Sequence, residues 1–342
     1  MSRAPRKRAV KTPRRPTPIW VPVSIAVVVL LAGVVEATYF GAGPDARNGA
    51  ASTSVVLPSG AGVAGIGQSL EAAGVIRSRF LFMAAATVTG AAHQLKAGEY
   101  AFPSRAALAT VLDAIRAGKV VRHVVTIPEG LTSKAAVDIL NGAAELTGRA
   151  QAPAEGALLP ETYQVTRGED RAAVLNRMVS ARDKLLADLW ENRAKGLPYR
   201  SPDDAVIVAS IVEKETAKPS ERPLIAAVFV NRLEKGMKLE SDPTVIYGLT
   251  GGAPLGHGLR VSELASKTPY NTYVIEGLPP TPIANPGRAS LEAALDPAAS
   301  EALYFVADGT GGHVFADTLE AHQRNVARWR AIEQGRAATG AS

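Results

Sequence analysis

The feature that most constrains this chain is an apolar run near its beginning. Residues 19–35 carry no charged side chain and consist almost entirely of valine, isoleucine, leucine and alanine. Counting on across Glu36 to Phe40 gives 22 residues, which as a helix would extend about 33 Å, enough to cross a bilayer. We therefore predict a transmembrane helix over residues 19–40.

A cleavable signal peptide is the alternative interpretation of this run. Its apolar region would be shorter, roughly 7–15 residues, and would end in a small-x-small cleavage site. The sequence Glu36-Ala37-Thr38-Tyr39 matches such a site poorly, so an uncleaved anchor remains the prediction.

The net charge of +6 has a local origin. The chain has 38 Lys and Arg against 32 Asp and Glu, and seven of the basic residues lie in residues 1–18, which contain no acid. Subtracting these seven from 38 leaves 31 basic and 32 acidic residues elsewhere. This distribution excludes the broad basic surface of a nucleic-acid-binding protein. It also predicts that the N-terminus lies in the cytoplasm and the following 300 or so residues outside.

The sequence lacks the patterns of cofactor and metal sites. It has no cysteine, which excludes disulfides and zinc–thiolate sites. The five histidines show neither HExxH spacing nor clustering, and there is no P-loop or GxSxG motif. We expect the protein to work without a tightly bound cofactor or metal.

The region after the span has mixed helical and strand patterns, which predict an α+β fold. A flexible tether at 41–52 comes first. The predicted helices begin at Val63, Arg79 and Leu108, and the predicted strands cover 99–102 and 120–127.

The candidate catalytic residues follow Asp204, which suits a helix N-cap. Residues 205–212 are apolar nearly all round and predict a buried helix that runs into Glu213-Lys214-Glu215. Since successive helical residues turn by about 100°, Glu213 and Glu215 should point to nearly opposite faces.

A buried carboxyl has a raised pKa, which a general acid working near neutral pH requires. The alternative for either glutamate is a helix-end salt bridge with Arg222 or Arg232. These residues alone leave open which glutamate, if either, is the acid.

Two downstream segments carry aromatic and amide groups that suit sugars, since rings stack on sugar faces and amides bond hydroxyls. They are Tyr270-Asn271-Thr272-Tyr273 and the proline-rich loop at 277–287. Asn271 and Tyr273 are the candidate substrate contacts; packing within the loop is the alternative role for both.

Five blocks of sequence together carry a resemblance to a known family. They are ASIVEKET (209–216), VNRLEKGMKLESDPTVIYGL (230–249), TPYNTY (268–273), GLPPTPIANPG (277–287) and LYFVADGTGGHVF (303–315). In order and spacing they closely resemble the endolytic murein transglycosylases, the YceG-like family of bacterial inner membranes.

The resemblance implies a lytic transglycosylase that cleaves MurNAc–GlcNAc bonds within nascent peptidoglycan strands and leaves 1,6-anhydroMurNAc ends. It implies that Glu213 is the catalytic acid and then base, with Glu215 in a supporting role. It also implies termination of glycan-chain elongation and partnership with cell-wall synthases.

The implied architecture is a single-pass protein of the bacterial plasma membrane, with its catalytic domain in the periplasm. The predicted segments are a basic tail (1–18), the transmembrane helix (19–40), the linker (41–52), a LysM-like domain (53–125), the catalytic domain (126–335) and a tail (336–342).

One block departs from the family pattern. Where the family has an aromatic-rich LEGYLFPDTY-like block, this chain has AEGALLPETY at 154–163, with Ala157 and Leu159 at the aromatic positions. A sugar-stacking role for this block is therefore not expected.

Two other classes of function compete with this interpretation. The first is a non-catalytic peptidoglycan-binding scaffold, in which residues 53–125 would be the functional part. The second is a serine hydrolase that uses Ser210 and Lys214, which lie four residues apart on one helical face.

Overall fold

The computed structural model describes residues 20–339, and over this range the chain divides into two units, 20–121 and 122–339. The predicted basic tail at 1–18 lies outside the described residues. Helices alternate with three two-stranded antiparallel sheets. The predicted α+β class is confirmed.

The first unit begins with helix α1 (Trp20–Val35), which continues as a π-helical turn over Glu36–Phe40. Within residues 20–339, no helix is both long and apolar enough to span a membrane. The remaining elements are β1 (Ser52–Leu57), α2 (Val63–Ala72), α3 (Arg79–Val88), β2 (Gly98–Pro103) and α4 (Leu108–Ala117). Strand β1 pairs with β2, with Ser52 opposite Pro103 and Leu57 opposite Gly98.

Local signals set the elements of this unit much as predicted. The Ser78 side chain accepts a hydrogen bond from the Leu81 amide and caps α3. Gly118 adopts the left-handed conformation (φ 72°) that ends α4. The apolar faces of α2, α3 and α4 pack with β1 and β2 into one core that includes Phe82, Tyr100 and Ile115.

The second unit has two cores. Its elements are β3 (His123–Thr126), α5 (Ser133–Gly142), β4 (Thr162–Val165), α6 (Arg171–Glu191), α7 (Pro202–Glu215), α8 (Arg222–Glu234), α9 (Asp242–Thr250), α10 (Val261–Leu264), α11 (Arg288–Leu295), β5 (Tyr304–Ala307), β6 (His313–Ala316) and α12 (Leu319–Thr339). Strand β3 pairs with β4, and β5 pairs with β6. The smaller core joins β3, α5, β4 and α6.

The larger core surrounds α7, which packs against α8 and α11. Every residue from Asp204 to Val212 is buried, because this helix is apolar on all sides and is covered on all sides. Its first and last turns reach the protein surface, and the last turn carries both glutamates. The fold therefore places Glu213 and Glu215 in the last turn of a largely buried helix.

The predicted start of α7 was wrong. Helix α7 begins at Pro202 after Ser201, and the Asp204 carboxylate instead accepts a hydrogen bond from the Arg200 amide at 2.8 Å. Helix α8 begins at Arg222, after a 3-10 turn at Pro219–Glu221. Proline at the first turn fixes the backbone of each helix in the helical range and decides where it starts.

Candidate active site

The last turn of α7 places its two glutamates in separate environments. Glu213 faces α8 and the beginning of α11, whereas Glu215 faces the segment that precedes α9. A separation of two residues turns the helix by about 200°, so the side chains leave on opposite sides. This part of the sequence prediction is confirmed.

Glu213 is held in an ion pair. Its side chain is 5% exposed, and Oε1 lies 3.0 Å from Nη2 of Arg222. Its Oε2 accepts hydrogen bonds from the Gly287 amide at 2.9 Å and from the Ser290 hydroxyl at 2.7 Å. Three donors therefore stabilise Glu213 as a carboxylate and leave it little capacity to meet a substrate.

A second carboxylate shares the same arginine. Glu129 Oε2 lies 3.3 Å from Arg222 Nη2. Burial, and next the charge of Glu213, raise the pKa of Glu129, while Arg222 opposes both effects. A side chain at Gly287 would collide with Glu129, so glycine is needed for this close approach. Together these residues join the turn after β3 to α7, α8 and α11.

Glu215 has no such cation. Its Oε1 accepts a hydrogen bond from the Ser241 hydroxyl at 2.5 Å. Burial raises the pKa of Glu215 to about 7; the Ser241 bond lowers it and the charge of Asp242 raises it further. The group is therefore protonated in a large fraction of molecules near neutral pH, as a general acid must be.

The Ser241 hydroxyl is oriented by a buried network of hydroxyl groups. The Ser241 amide donates to Thr272 Oγ1 at 2.9 Å, and the Ser241 carbonyl accepts from Thr244 Oγ1 at 2.6 Å. The two threonine hydroxyls lie 2.8 Å apart. All three residues are buried, so the network fixes the position of Ser241 relative to Glu215.

Glu215 opens into a cavity of about 450 Å³, which we name the Glu215 cavity. Its walls carry acidic, basic and aromatic side chains, a composition that suits a sugar. The lining residues are Glu215, Arg232, Leu239, Glu240, Asp242, Tyr273, Tyr304, Phe305, Val306, His322 and Val326. Glu213 is not among them.

One wall of the Glu215 cavity is joined by hydrogen bonds and ring contacts. Arg232 donates to the carbonyls of Leu303 and Lys238 and to Glu240, and its guanidinium lies 5.1 Å from the Tyr304 ring centre. The His322 ring also stacks on Tyr304, with the two ring centres 5.1 Å apart. Burial, and next the charge of Arg232, lower the pKa of His322, so it is neutral near pH 7.

The two predicted substrate contacts have different surroundings. Tyr273 lines the Glu215 cavity, and its hydroxyl donates to Asp242 Oδ1 at 2.7 Å. Asn271 is fully buried: its amide nitrogen donates to the carbonyls of Leu264 and Ser266, and its oxygen accepts from the Tyr273 amide. Asn271 therefore closes the loop and positions Tyr273, and does not line the cavity.

The proline-rich loop also uses its amide for structure. Asn285 is buried; it accepts a hydrogen bond from the Leu158 amide and donates to the Leu131 carbonyl. This contact joins the loop to the 154–163 block, where Leu158 and Leu159 are core residues. The Asn285 amide is therefore engaged in packing, and a sugar-binding role for the rest of the loop stays a prediction.

The Ser210–Lys214 dyad is not formed. Ser210 is fully buried, donates its hydroxyl proton to the Ile207 carbonyl at 2.7 Å and accepts from the Ile283 amide. Lys214 Nζ instead approaches the Gly130 carbonyl at 3.3 Å. A hydroxyl engaged in this way cannot act as a nucleophile at the surface.

Sequence reasoning did not single out Ser241, Asp242, Arg232, Tyr304 or His322 as site residues. Ser241 and Asp242 read as an ordinary turn before a helix, and Arg232 read as an ion-pair partner. All but His322 lie inside the matched sequence blocks. Their position on one cavity depends on contacts between segments far apart in the chain.

Comparisons with known proteins agree with the resemblance. A family model described as the YceG-like family matches residues 55–328. A crystal structure of a yceG-like protein from Listeria monocytogenes superposes with a TM-score of 0.50 at 29% identity, covering 80% of this chain and 98% of that one.

Two curated relatives carry the name endolytic murein transglycosylase. The Streptococcus pneumoniae D39 protein is 29% identical over 360 residues, which is 89% of this chain and 64% of the relative. The Bacillus subtilis 168 protein is 36% identical over 174 residues, which is 50% of this chain and 47% of the relative. The matched regions thus span less than two thirds of either relative. Since the family model covers most of the chain, this protein belongs to the YceG-like family.

Proposed function

We propose that this protein is a membrane-anchored endolytic murein transglycosylase with Glu215 as its general acid and base. The observation that carries the proposal is a carboxyl with a pKa near 7 on the wall of a sugar-sized cavity. The names of the relatives support the substrate class. The chain would cleave MurNAc–GlcNAc bonds within peptidoglycan strands.

The assignment to Glu215 differs from the sequence-based prediction, which named Glu213. Glu213 is paired with Arg222 and accepts two further hydrogen bonds away from the cavity. An acid must be protonated and within reach of the glycosidic oxygen. Glu215 lines the cavity and has a pKa raised by burial, and Glu213 acts in this proposal as a structural anchor.

The reaction needs one carboxyl group. Glu215 donates its proton to the glycosidic oxygen as the bond from that oxygen to C1 of MurNAc breaks. The C6 hydroxyl oxygen of the same sugar then bonds to C1, and its proton passes to the Glu215 carboxylate. The products are a free GlcNAc hydroxyl and a 1,6-anhydroMurNAc end, and the acid is regenerated.

Intramolecular attack removes the need for a second carboxylate that positions water, as hydrolytic glycosidases require. Asp242 contributes in another way. It lines the cavity, raises the pKa of Glu215 and accepts a hydrogen bond from Tyr273. A negative charge at this place would also favour the positive charge that develops on the sugar ring.

Ser241 tunes the second half of the cycle. Its hydroxyl donates to Glu215 and so stabilises the carboxylate form. Without this bond the pKa of Glu215 would be higher. The carboxylate that serves as the base would then form less readily. Ser241 is therefore a positioning residue that keeps the pKa between the acid and base roles.

The cellular setting is part of the proposal. The uncharged run at 19–35 and the seven basic residues before it support an anchor over 19–40 with the N-terminus in the cytoplasm. The catalytic unit would then face nascent peptidoglycan outside the plasma membrane. Cleavage there would terminate chain elongation, in partnership with cell-wall synthases.

Residues 53–125 form the candidate wall-binding part, a LysM-like domain. A non-catalytic scaffold built on this part is the competing function. It predicts that Glu215→Gln has no effect in cells, whereas deletion of 53–125 does. The transglycosylase proposal predicts loss of function in Glu215→Gln.

The chemistry of the product tests the reaction directly. The full-length protein in detergent would be incubated with purified peptidoglycan, and the digested strands analysed by mass spectrometry. New 1,6-anhydroMurNAc ends are expected. New reducing ends would indicate hydrolysis and contradict the mechanism, and binding without cleavage would favour the scaffold.

A further inference from the structure

Helix α3 exposes apolar side chains on the face opposite the core. Phe82 and Ala86 are fully buried, but Phe80 is 68% exposed and Val88 is 88% exposed. Leu81 and Ala84 are also exposed. Positions 80, 84 and 88 are spaced four apart and lie along one side of the helix. We name Phe80, Leu81, Ala84 and Val88 the α3 apolar surface; a contiguous patch of this kind marks an interaction site.

An apolar groove of about 430 Å³ borders this surface. It lies between α3 and the residues that follow α1, and it is lined by Val35, Thr38, Tyr39, Phe40, Leu81, Ala84, Ala85, Val88, Thr89 and Leu108. The hydroxyls of Thr38 and Thr89 donate to carbonyls of their own helices, Val34 and Ala85. The groove therefore offers a ligand almost no free polar group.

The apolar surface continues onto α1. Helix α1 exposes valine and leucine side chains along its described length, among them Val27, Val28, Val29, Leu30 and Val34. Phe40, which is also largely exposed, lies between α1 and the groove. Exposed apolar side chains thus occur on α1, at Phe40 beside the groove and along α3 to Val88.

An exposed arginine lies near the groove. Arg77 is exposed and donates to the Ala42 carbonyl at 3.3 Å, beside the chain that leaves α1. Three acids also lie in this region: Glu36 is exposed at the start of the π-helical turn, Glu71 lies 3.9 Å from Arg79, and Asp45 lies 3.8 Å from Arg105. The free cation at this edge is the type that anionic lipid headgroups attract.

We propose that the α3 apolar surface lies in the headgroup region of the membrane, where it seats the first unit beside its anchor. A bilayer would cover both α1 and the α3 apolar surface. Tyr39, Phe40 and Arg77 suit its polar boundary. The proposal rests on the proposed membrane association and is independent of the proposed chemistry.

The absence of cysteine from the sequence allows a direct test. Full-length Val88→Cys, labelled with an environment-sensitive fluorophore, would be reconstituted in vesicles of phosphatidylethanolamine and phosphatidylglycerol. The same label at Phe80→Cys gives a second probe of the surface. The matched control is Val56→Cys, an exposed valine on β1 that does not line the groove.

Lipids that carry a nitroxide quencher report contact with the bilayer. Strong loss of fluorescence is expected at positions 80 and 88, and little at position 56. A nitroxide near the headgroup should quench more than one near the chain end, since an interfacial helix lies roughly 5–10 Å into the boundary.

Three results would overturn the proposal. The first is equal quenching at Val88 and Val56, and the second is failure of the protein to associate with the vesicles. The third is protection of Val88 that depends on protein concentration and not on lipid, because a second copy would then cover the surface. Loss of 1,6-anhydro products would affect the proposed function alone.

Discussion

The two glutamates at the end of α7 share a helix turn and differ in everything around it. Glu213 meets Arg222, a backbone amide and a hydroxyl, and it faces away from the Glu215 cavity. Glu215 meets one hydroxyl and the charge of Asp242, and it lines the cavity. Burial is common to both side chains, so burial alone does not make an acid. In the proposed mechanism, the ion pair with Arg222 distinguishes Glu213 from the acid Glu215.

The largest effect on stability should come from Glu213. Glu213→Gln removes a buried charge and leaves Arg222 with only the half-exposed Glu129. Breaking a buried ion pair in this way should cost about 3 kcal/mol of the free energy of unfolding. Thermal unfolding followed by circular dichroism would measure it, with Glu215→Gln as the matched control. Equal stability of the two variants would contradict the anchoring role of Glu213.

Glu215→Gln should raise the free energy of unfolding above neutral pH, whereas Glu213→Gln should lower it. The pKa of Glu215 is raised by burial from 4.5 to about 7. Between these values the folded state binds more protons than the unfolded state, so wild-type stability falls as pH rises from 4.5 to 7. Glutamine carries no such penalty, and the variant should exceed wild type by about 1–3 kcal/mol at pH 8.

The stability difference between Glu215→Gln and wild type should shrink towards pH 5, where Glu215 is protonated in the folded protein. Chemical unfolding at the two pH values would measure this trend. A difference that does not change with pH would argue against a raised pKa at Glu215.

A smaller effect should follow from Ser241. Ser241→Ala removes the hydrogen bond that lowers the pKa of Glu215. The alkaline limb of the pH–activity profile should therefore move to higher pH, by about one unit for a bond of roughly 1.4 kcal/mol. Ser241→Thr keeps the hydroxyl and should restore the profile. A loss of activity that is uniform in pH would indicate a structural role only.

The burial of α7, the divergence of its two glutamates and several helix caps could be predicted from local sequence. The apolar run at 205–212 predicted a buried helix, and the helical period predicted that its two glutamates diverge. Asp170 before α6 and Ser78 before α3 are caps whose side chains bond the following amides. These features depend on neighbours within one or two turns, which a sequence displays.

The choice between the glutamates could not be read in the same way. It depends on Arg222, nine residues after Glu213, and on Ser241, 26 residues after Glu215. Both arginines considered as partners, Arg222 and Arg232, occur on α8, and only the fold shows that Arg222 meets Glu213 whereas Arg232 meets Glu240. Long-range packing decided what local pattern left open.

The different roles of Asn271 and Tyr273 in their loop also could not be predicted from composition. Composition made both candidates for sugar contact. The amide of Asn271 is consumed by the loop's own backbone, while Tyr273, two residues later, lines the cavity. An amide near a site is as suited to closing a loop as to binding a sugar, and the available backbone partners determine which occurs.

The most direct test of the account compares the activities of Glu215→Gln and Glu213→Gln. Release of 1,6-anhydroMurNAc ends from peptidoglycan would be measured by mass spectrometry, with each rate normalised to the folded fraction. Loss of general-acid catalysis should reduce the rate of Glu215→Gln by about 10²–10⁴-fold, while correctly folded Glu213→Gln retains most of its activity. An active Glu215→Gln variant beside a folded but inactive Glu213→Gln variant would contradict the assignment.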